Sequence, residues 1–239
     1  MIHVTNTPNH VGVAVHGDCL DFDELYDALH DIVGEEDQYT EYEAVRIRVL
    51  GVCYDIRHAL MGDREIEFVD NGMNEDKMKV LAMITPKKNI YLGIHVLWPE
   101  ILFVTMSLND FILLHGKKYK QPQWNKTIAT VQKFQAAVAE CIKLTVTEVS
   151  YKRMLNMMVL NYPRFNEYAT QYIDILNEKF LAMDKEKRLK NIPIMAKRIA
   201  EPGSEYRQIK NEILQEALKY NCSLDEIRYE LEYPENIEW

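Results

Sequence analysis

The chain has 239 residues, 47% of them hydrophobic, with 28 Lys and Arg against 37 Asp and Glu for a net charge of −9, and only 9 Gly, 8 Pro and 4 Cys. Ordinary apolar content with few Gly and Pro excludes wholesale disorder, collagen-like repeats and low-complexity sequence. A chain this long buries roughly 70% of the surface its unfolded form exposes, so it needs no disulfide or metal to fold.

In chain order, Ile2–Thr5 and His10–His16 alternate with period two around Asn6-Thr7-Pro8-Asn9 and predict a hairpin. Asp21 with Glu24 suggests a capping pair for a helix carrying Phe22, Leu25, Tyr26, Leu29 and Val33, stopped by Gly34. A second helix is expected from about Tyr42 to Met61. A strand follows over Arg64–Asp70, then a short helix over Glu75–Met83 and a strand over Asn89–Leu97. Trp98-Pro99 opens a strongly apolar helix ending near Gly116, with proline where a missing N–H costs nothing. The first 116 residues therefore predict an α+β unit, with a small antiparallel or mixed four-stranded sheet packed with helices.

Beyond residue 117 strand signals vanish, and 117–239 is expected to form a separate helical domain. Forty residues between Pro122 and Pro163 lack Pro and Gly and place Ile128, Val131, Val138, Ile142 and Val149 at 3/4 spacing. This predicts one long or once-broken helix whose seam is either intramolecular or a short coiled-coil contact. Helices are expected over Arg164–Asp184, between Pro193 and Glu201, over Glu205–Tyr220 and over Ser223–Leu231, the last opened by a Ser223-x-x-Glu226 capping box; Lys185–Lys190 reads as a charged connector.

Charge is segregated along the chain. Residues 1–116 hold 8 basic and 20 acidic residues, 117–198 hold 16 and 7, and 221–239 hold 1 and 6. The basic middle is a possible nucleic-acid footprint. Its charges are mostly lysines at helical spacing without interleaved aromatics, which favours solvated helix faces instead.

The densest grouping of reactive side chains is Tyr54 to Glu65. Asp55 and His58 stand at i, i+3 on one helical face, where a carboxylate can orient an imidazole, and Asp63 follows at the helix end. Arg57 and Arg64 supply anion-binding guanidiniums. Such a set suits acid/base or metal-assisted hydrolysis of a phosphate ester or nucleic acid, with Asp55, His58 and Asp63 catalytic and Arg57 and Arg64 binding substrate. The competing reading is a structural Asp–Arg network at the helix end. Strand alternation also places His3, Thr5, His10, Gly12, His16, Glu65, Glu67, Tyr91, Gly93 and His95 on one sheet face, a ligand chemistry metals accept, although no short metal-binding motif is present. Phosphate-cradling loops and a G-x-S-x-G elbow are absent from the sequence, and no cofactor follows from it. Cys53, between Val49, Val52 and Ile56, reads as a buried residue, and Met154, Met157 and Met158 read as core filler.

No charged and apolar leader opens the sequence, so a secretory signal is not expected. The most apolar stretch, Ile90–His115, is interrupted by His95, Pro99-Glu100 and Asp110, short of the roughly 18 apolar residues a spanning helix needs. Cys19, Cys53, Cys141 and Cys222 are widely spaced, as in a reducing compartment, and a cytoplasmic location is expected.

The run Val49-Leu50-Gly51-Val52-Cys53-Tyr54-Asp55-Ile56-Arg57-His58-Ala59, then Gly62-Asp63-Arg64-Glu65, Trp98-Pro99-Glu100 and Asn109-Asp110-Phe111, resembles a bacterial family of unknown function over roughly the first 116 residues. The resemblance implies a bacterial cytoplasmic protein and brings no activity, cofactor or catalytic residue. The leading expectation is a non-enzymatic interaction or regulatory protein that self-associates or binds a partner protein through its helical half. The alternative is the hydrolase or nuclease built on Asp55 to Arg64.

Overall fold

The chain's hydrophobic periodicity is met by a four-stranded antiparallel sheet and a set of helices, seen in a computed structural model that describes residues 1–118, 124–159, 164–229, 233–234 and 236–239. Strands β1 (His3–Asn6), β2 (Gly12–Gly17), β3 (Glu65–Asp70) and β4 (Lys88–Leu97) lie in the order β1-β2-β4-β3. Val4 stands opposite Val15, Val13 opposite Val96 and Val15 opposite Ile94, so one apolar row crosses three strands. The β1–β2 turn is closed by Thr7, which is buried and bonded through both its backbone and its hydroxyl to Gly12. A side chain at Gly12 would meet the Val96 carbonyl oxygen at 2.1 Å, so only glycine lets β4 approach there.

Helix α1 (Cys19–Val33) follows at once, and its cap lies one turn earlier than expected. Asp18 and Asp21 form a reciprocal capping box, in which Asp21 N donates to Asp18 Oδ1 (2.8 Å) and Asp18 N to Asp21 Oδ2 (3.2 Å). Helix α2 (Glu43–Leu60) buries Val45, Val49, Val52, Cys53 and Ile56, and burial pushes the Cys53 thiol up to about 12, the inert state expected for it. Met154 and Met158 are likewise buried. Between β3 and β4 stands α3 (Glu75–Leu81), capped by Asn74.

Helix α4 (Trp98–Lys118) leaves β4 without a break and is buried nearly all round, from Trp98 through Phe111. A helix apolar on every side must be central. It packs against α1, α5 (Lys126–Thr145), α7 (Gln171–Leu181) and α8 (Lys185–Ala200). One continuous apolar core consequently runs from Ile2, just before β1, to Ile213 in α9 (Ser204–Tyr220), joining the sheet half to the helical half.

The long helix is broken once, at Val146, into α5 and α6 (Glu148–Met158), which Thr147 caps. Its seam is intramolecular. Ile128, Val131, Val138 and Ile142 are buried where α5 packs on α1 and β1, whereas Val149 is exposed.

Three expectations in the second half need correction. The helix drawn from Arg164 begins only at Gln171, because Asp110 Oδ2 accepts the backbone N–H groups of Arg164 and Phe165 (both 2.7 Å) and Glu167 adopts a left-handed conformation. The connector Lys185–Lys190 is helical: Asp184 caps it, and Pro193 sits inside α8 instead of opening a helix. Among the described residues the terminal helix is absent. Ser223 does reach Glu226 (2.9 Å), but only a 3-10 turn forms at Leu224–Glu226, and Ile227–Tyr229 is not helical; residues 230–232 lie outside the described residues.

Asp110 is buried in the central helix, with burial raising its carboxyl above the usual range, and the Tyr42 hydroxyl faces it. Asp110→Ala leaves two backbone donors without their acceptor and is expected to cost roughly 2–4 kcal/mol in urea unfolding; a loss below about 0.5 kcal/mol, the range of an ordinary surface substitution, contradicts the role assigned to it.

Candidate functional site

The residues from Tyr54 to Glu65 occupy the last turns of α2 and the start of β3, where Gly62, at φ +85°, turns the chain. Arg64 donates from Nη2 (2.8 Å) and Nε (3.2 Å) to a single oxygen of Asp55, and from Nη1 to the Asp63 carbonyl (3.0 Å). His58 does not face Asp55; its Nδ1 lies 2.8 Å from the Tyr54 carbonyl and its ring tilts against the Tyr54 ring at 4.1 Å. Arg57 and Asp63 are exposed, and among the described residues Arg57 makes no ion pair. The fold thus joins Asp55 to Arg64 and leaves His58, Asp63 and Arg57 apart from them.

Asp55 also borders a cavity of 610 Å³ between α2, α7 and the C-terminal segment, together with Arg48, Gln171, Asp174, Arg228 and Tyr233. The Arg48 guanidinium bonds Glu100 (3.0 Å), Asp174 (2.5 Å) and the Thr170 carbonyl (3.0 Å), and Asn177 donates to Glu100 (2.9 Å). Burial, only partly offset by Arg48, raises Glu100, and burial with Asp174 nearby pushes the Tyr233 phenol up to about 12. Gln171 fixes the terminal segment through the carbonyls of Leu224 (2.6 Å) and Ile227 (2.8 Å). Sequence reasoning passed over Arg48. Its signal is an arginine one residue from the buried Val49 and three from the buried Val45, matched by Glu100 in the most apolar stretch of the chain.

On the other face of the sheet, the register places His3 opposite His16, Gly93 between His16 and Glu65, and Glu67 opposite Tyr91. The His3 and His16 rings stack at 5.0 Å, and His95 stacks on Trp239 at 4.8 Å. His16 Nδ1 lies 3.8 Å from Glu67 and His95 Nδ1 3.5 Å from Glu65. His10 is elsewhere, in the β1–β2 turn with φ 55°. Among the described residues no three His, Cys, Asp or Glu side chains converge as a metal ion requires.

The β3–α3–β4 hairpin differs from all these places in being apolar and open. All six residues of β3 are exposed and α3 buries none. Ile66, Phe68 and Ile90 share the face that is buried elsewhere in the sheet, yet they are 47%, 61% and 55% exposed, because the helices cover β1, β2 and the far half of β4. Val80, Leu81, Met83 and Ile84, in α3 and the loop after it, are exposed as well.

A family model described as a domain of unknown function, DUF6904, matches residues 2–239. The chain belongs to this family. The match reaches well past the first 116 residues, so the helical half is part of the DUF6904 unit. No curated protein and no solved structure matches the chain. No helix among the described residues is long and apolar enough to cross a membrane.

The two arginine networks predict different costs. Arg48→Ala strands Glu100 without its counter-charge and is expected to destabilise the DUF6904 chain by about 3–5 kcal/mol. Arg64→Ala, which breaks a half-exposed pair, is expected to cost about 1 kcal/mol or less. Equal losses in chemical denaturation would refute the contrast. A second prediction concerns acid. Burial holds His10, His16, His30 and His115 below the ordinary 6.5, so the unfolded chain binds protons there before the folded one does. Stability should fall as pH drops below 6.5, and His16→Gln should shrink that fall in urea titrations.

Proposed function

We propose that this chain is a protein-interaction module whose docking surface is the β3–α3–β4 hairpin. The observation that carries the reading is Phe68, an aromatic ring 61% exposed on the apolar face of an edge strand, directly opposite Ile90 and on the same face as Ile66, with further exposed apolar residues in α3 and the loop after it. Contiguous exposed apolar surface of this kind marks interaction sites. The helical half, to which the spacing of its apolar residues pointed, turns that seam inward.

Two other observations support a non-enzymatic reading. Asp55 and Arg64 satisfy one another, His58 lies against its own helix and Asp63 is exposed, which gives the hydrolase reading no assembled acid, base and anion clamp to rest on. Many lysines of the basic middle are engaged locally, Lys143 with Glu140, Lys152 with Glu148, Lys187 with Asp184 and Lys179 with Glu205, as expected for solvated helix faces and not for a phosphate-binding patch. Four free cysteines fit a reducing compartment such as the cytoplasm.

The test pairs Phe68→Lys with Ile84→Lys. Both positions are exposed, so unfolding midpoints should stay within about 0.5 kcal/mol of wild type, while proteins crosslinked to the wild-type hairpin in the native host, other copies of this chain included, are lost. An unchanged crosslinking pattern would overturn the proposal.

A further inference from the structure

We infer that the occupant of the hairpin surface is a second copy of this chain, joined edge to edge through β3 so that the two four-stranded sheets become one of eight; this rests on the hairpin being a docking surface. β3 is the outer strand of its sheet, while α5 packs on β1 at the opposite edge. Asn71 N donates to Lys87 O (3.1 Å), directly beyond the β3–β4 ladder. By the period of two, Glu65, Glu67 and Val69 direct their backbone groups to β4, and Ile66, Phe68 and Asp70 direct theirs outward. Among the described residues those outward groups have no backbone or side-chain partner. They form an open template for another strand.

Charge permits this partner and, together with the apolar side chains, sets its register. Residues 64–88 hold five basic and five acidic residues and are neutral overall, within a chain of net charge −9. Like hairpins therefore meet without net repulsion. In an antiparallel pair, directly opposed residues share a face. Centring the two-fold on Ile66 sets Glu65 against Glu67, and centring it on Glu67 sets that carboxylate against its own copy. Centring it on Phe68 or on Val69 opposes no two carboxylates, but a centre at Val69 sets Phe68 against Asp70, whereas a centre at Phe68 sets ring against ring: Phe68 meets Phe68 and Glu67 meets Val69. The row of Glu65 then continues through Asn71 to Lys87 of the second copy, and the row of Ile66 through Asp70 to Lys88. Two Phe68 rings, flanked by the two Ile90 side chains, close an apolar strip across the join.

Sedimentation of the full chain tests this directly. The wild type should show the mass of two chains at high concentration. Association should tighten as salt rises, because salt screens the repulsion between two bodies of charge −9 and the neutral join loses little. Phe68→Lys should give the mass of one chain with an unchanged circular dichroism spectrum, and Ile47→Lys, on the exposed side of α2, should leave the dimer intact. Because Phe68→Lys alone could act through misfolding, the positive arm is Phe68→Cys with Cys19→Ser. The register sets the two residue-68 Cα atoms about 5.5 Å apart, within disulfide reach, so mild oxidation should link two chains covalently, while Ile84→Cys in the same background should not link. A wild type that stays single at every concentration and salt, or a dimer indifferent to Phe68→Lys, overturns the inference. If that single chain still crosslinks to another protein through the hairpin, only the second copy falls; if it crosslinks to nothing, the docking surface falls with it.

Discussion

Arg48 enters the protein at the junction of α2, α4 and α7, and a guanidinium removed from water must be met by carboxylates and carbonyls or it destabilises whatever buries it. Glu100 comes from the first turn of α4, Asp174 and the Thr170 carbonyl from the start of α7, and Asn177 completes the shell of Glu100. The partners come from two distant stretches of chain, α4 and α7, so the network forms only when sheet-half and helical-half elements are in place together. Hydrophobic burial around α4 is the larger driving force, but it is non-directional. The ion network supplies direction: it ties the start of α7 to α2 and to the first turn of α4, and with α7 the segment that Gln171 holds.

The same division of labour recurs further along α4. Asn109 donates to the Met158 carbonyl (2.8 Å) and accepts from Gln135 (3.0 Å), while Asp110 takes two backbone donors from the start of the α7 loop. A helix apolar on all sides could slide or rotate among its neighbours at little cost; polar groups at fixed positions along it allow one register only. Trp98 adds a third pin at the other end, its indole N–H donating to Asn6 (3.0 Å) across the β1–β2 turn. Trp98, Glu100, Asn109 and Asp110, all within motifs by which the chain resembles its family, therefore hold the fold together.

Where local pattern and tertiary demand agreed, the fold was legible. Alternation in β2 and β4 named the residues that line the core, and the opposite face of the sheet carries His3, His16, His95, Glu65 and Glu67 as the period of two requires. It failed where a distant partner decided. Asp110 unwinds the residues before α7, an event no window around Arg164 contains. Ser223 and Glu226 satisfy a capping pattern, yet the following residues are held by Gln171, 53 positions away at Leu224. The candidate cluster at Asp55 shows the same limit: i, i+3 spacing puts His58 within reach of the carboxylate, but Arg64, entering from the turn before β3, satisfies it with two charge-assisted bonds and leaves the imidazole to its own helix.

β4 explains how an open apolar hairpin can persist. Its second half, from Leu92, lies in the core, and its first half carries Lys88, Asn89 and Ile90 out beyond the helices. An isolated two-stranded hairpin is marginal in water, but here one strand is clamped at its base, and Asn71 bridges Pro86 (2.9 Å) and Asn89 (3.1 Å) at the tip. The strands need no side-chain burial to stay paired, so a polar residue at position 68 would serve the chain's own fold equally well. Each large apolar side chain left in water forgoes about 1.5–3 kcal/mol of transfer free energy. That quantity is recovered only when something covers the hairpin, and the backbone groups of Ile66, Phe68 and Asp70 define the geometry the cover must have. A strand satisfies both demands at once, whereas a helix laid on the face would leave the edge unpaired.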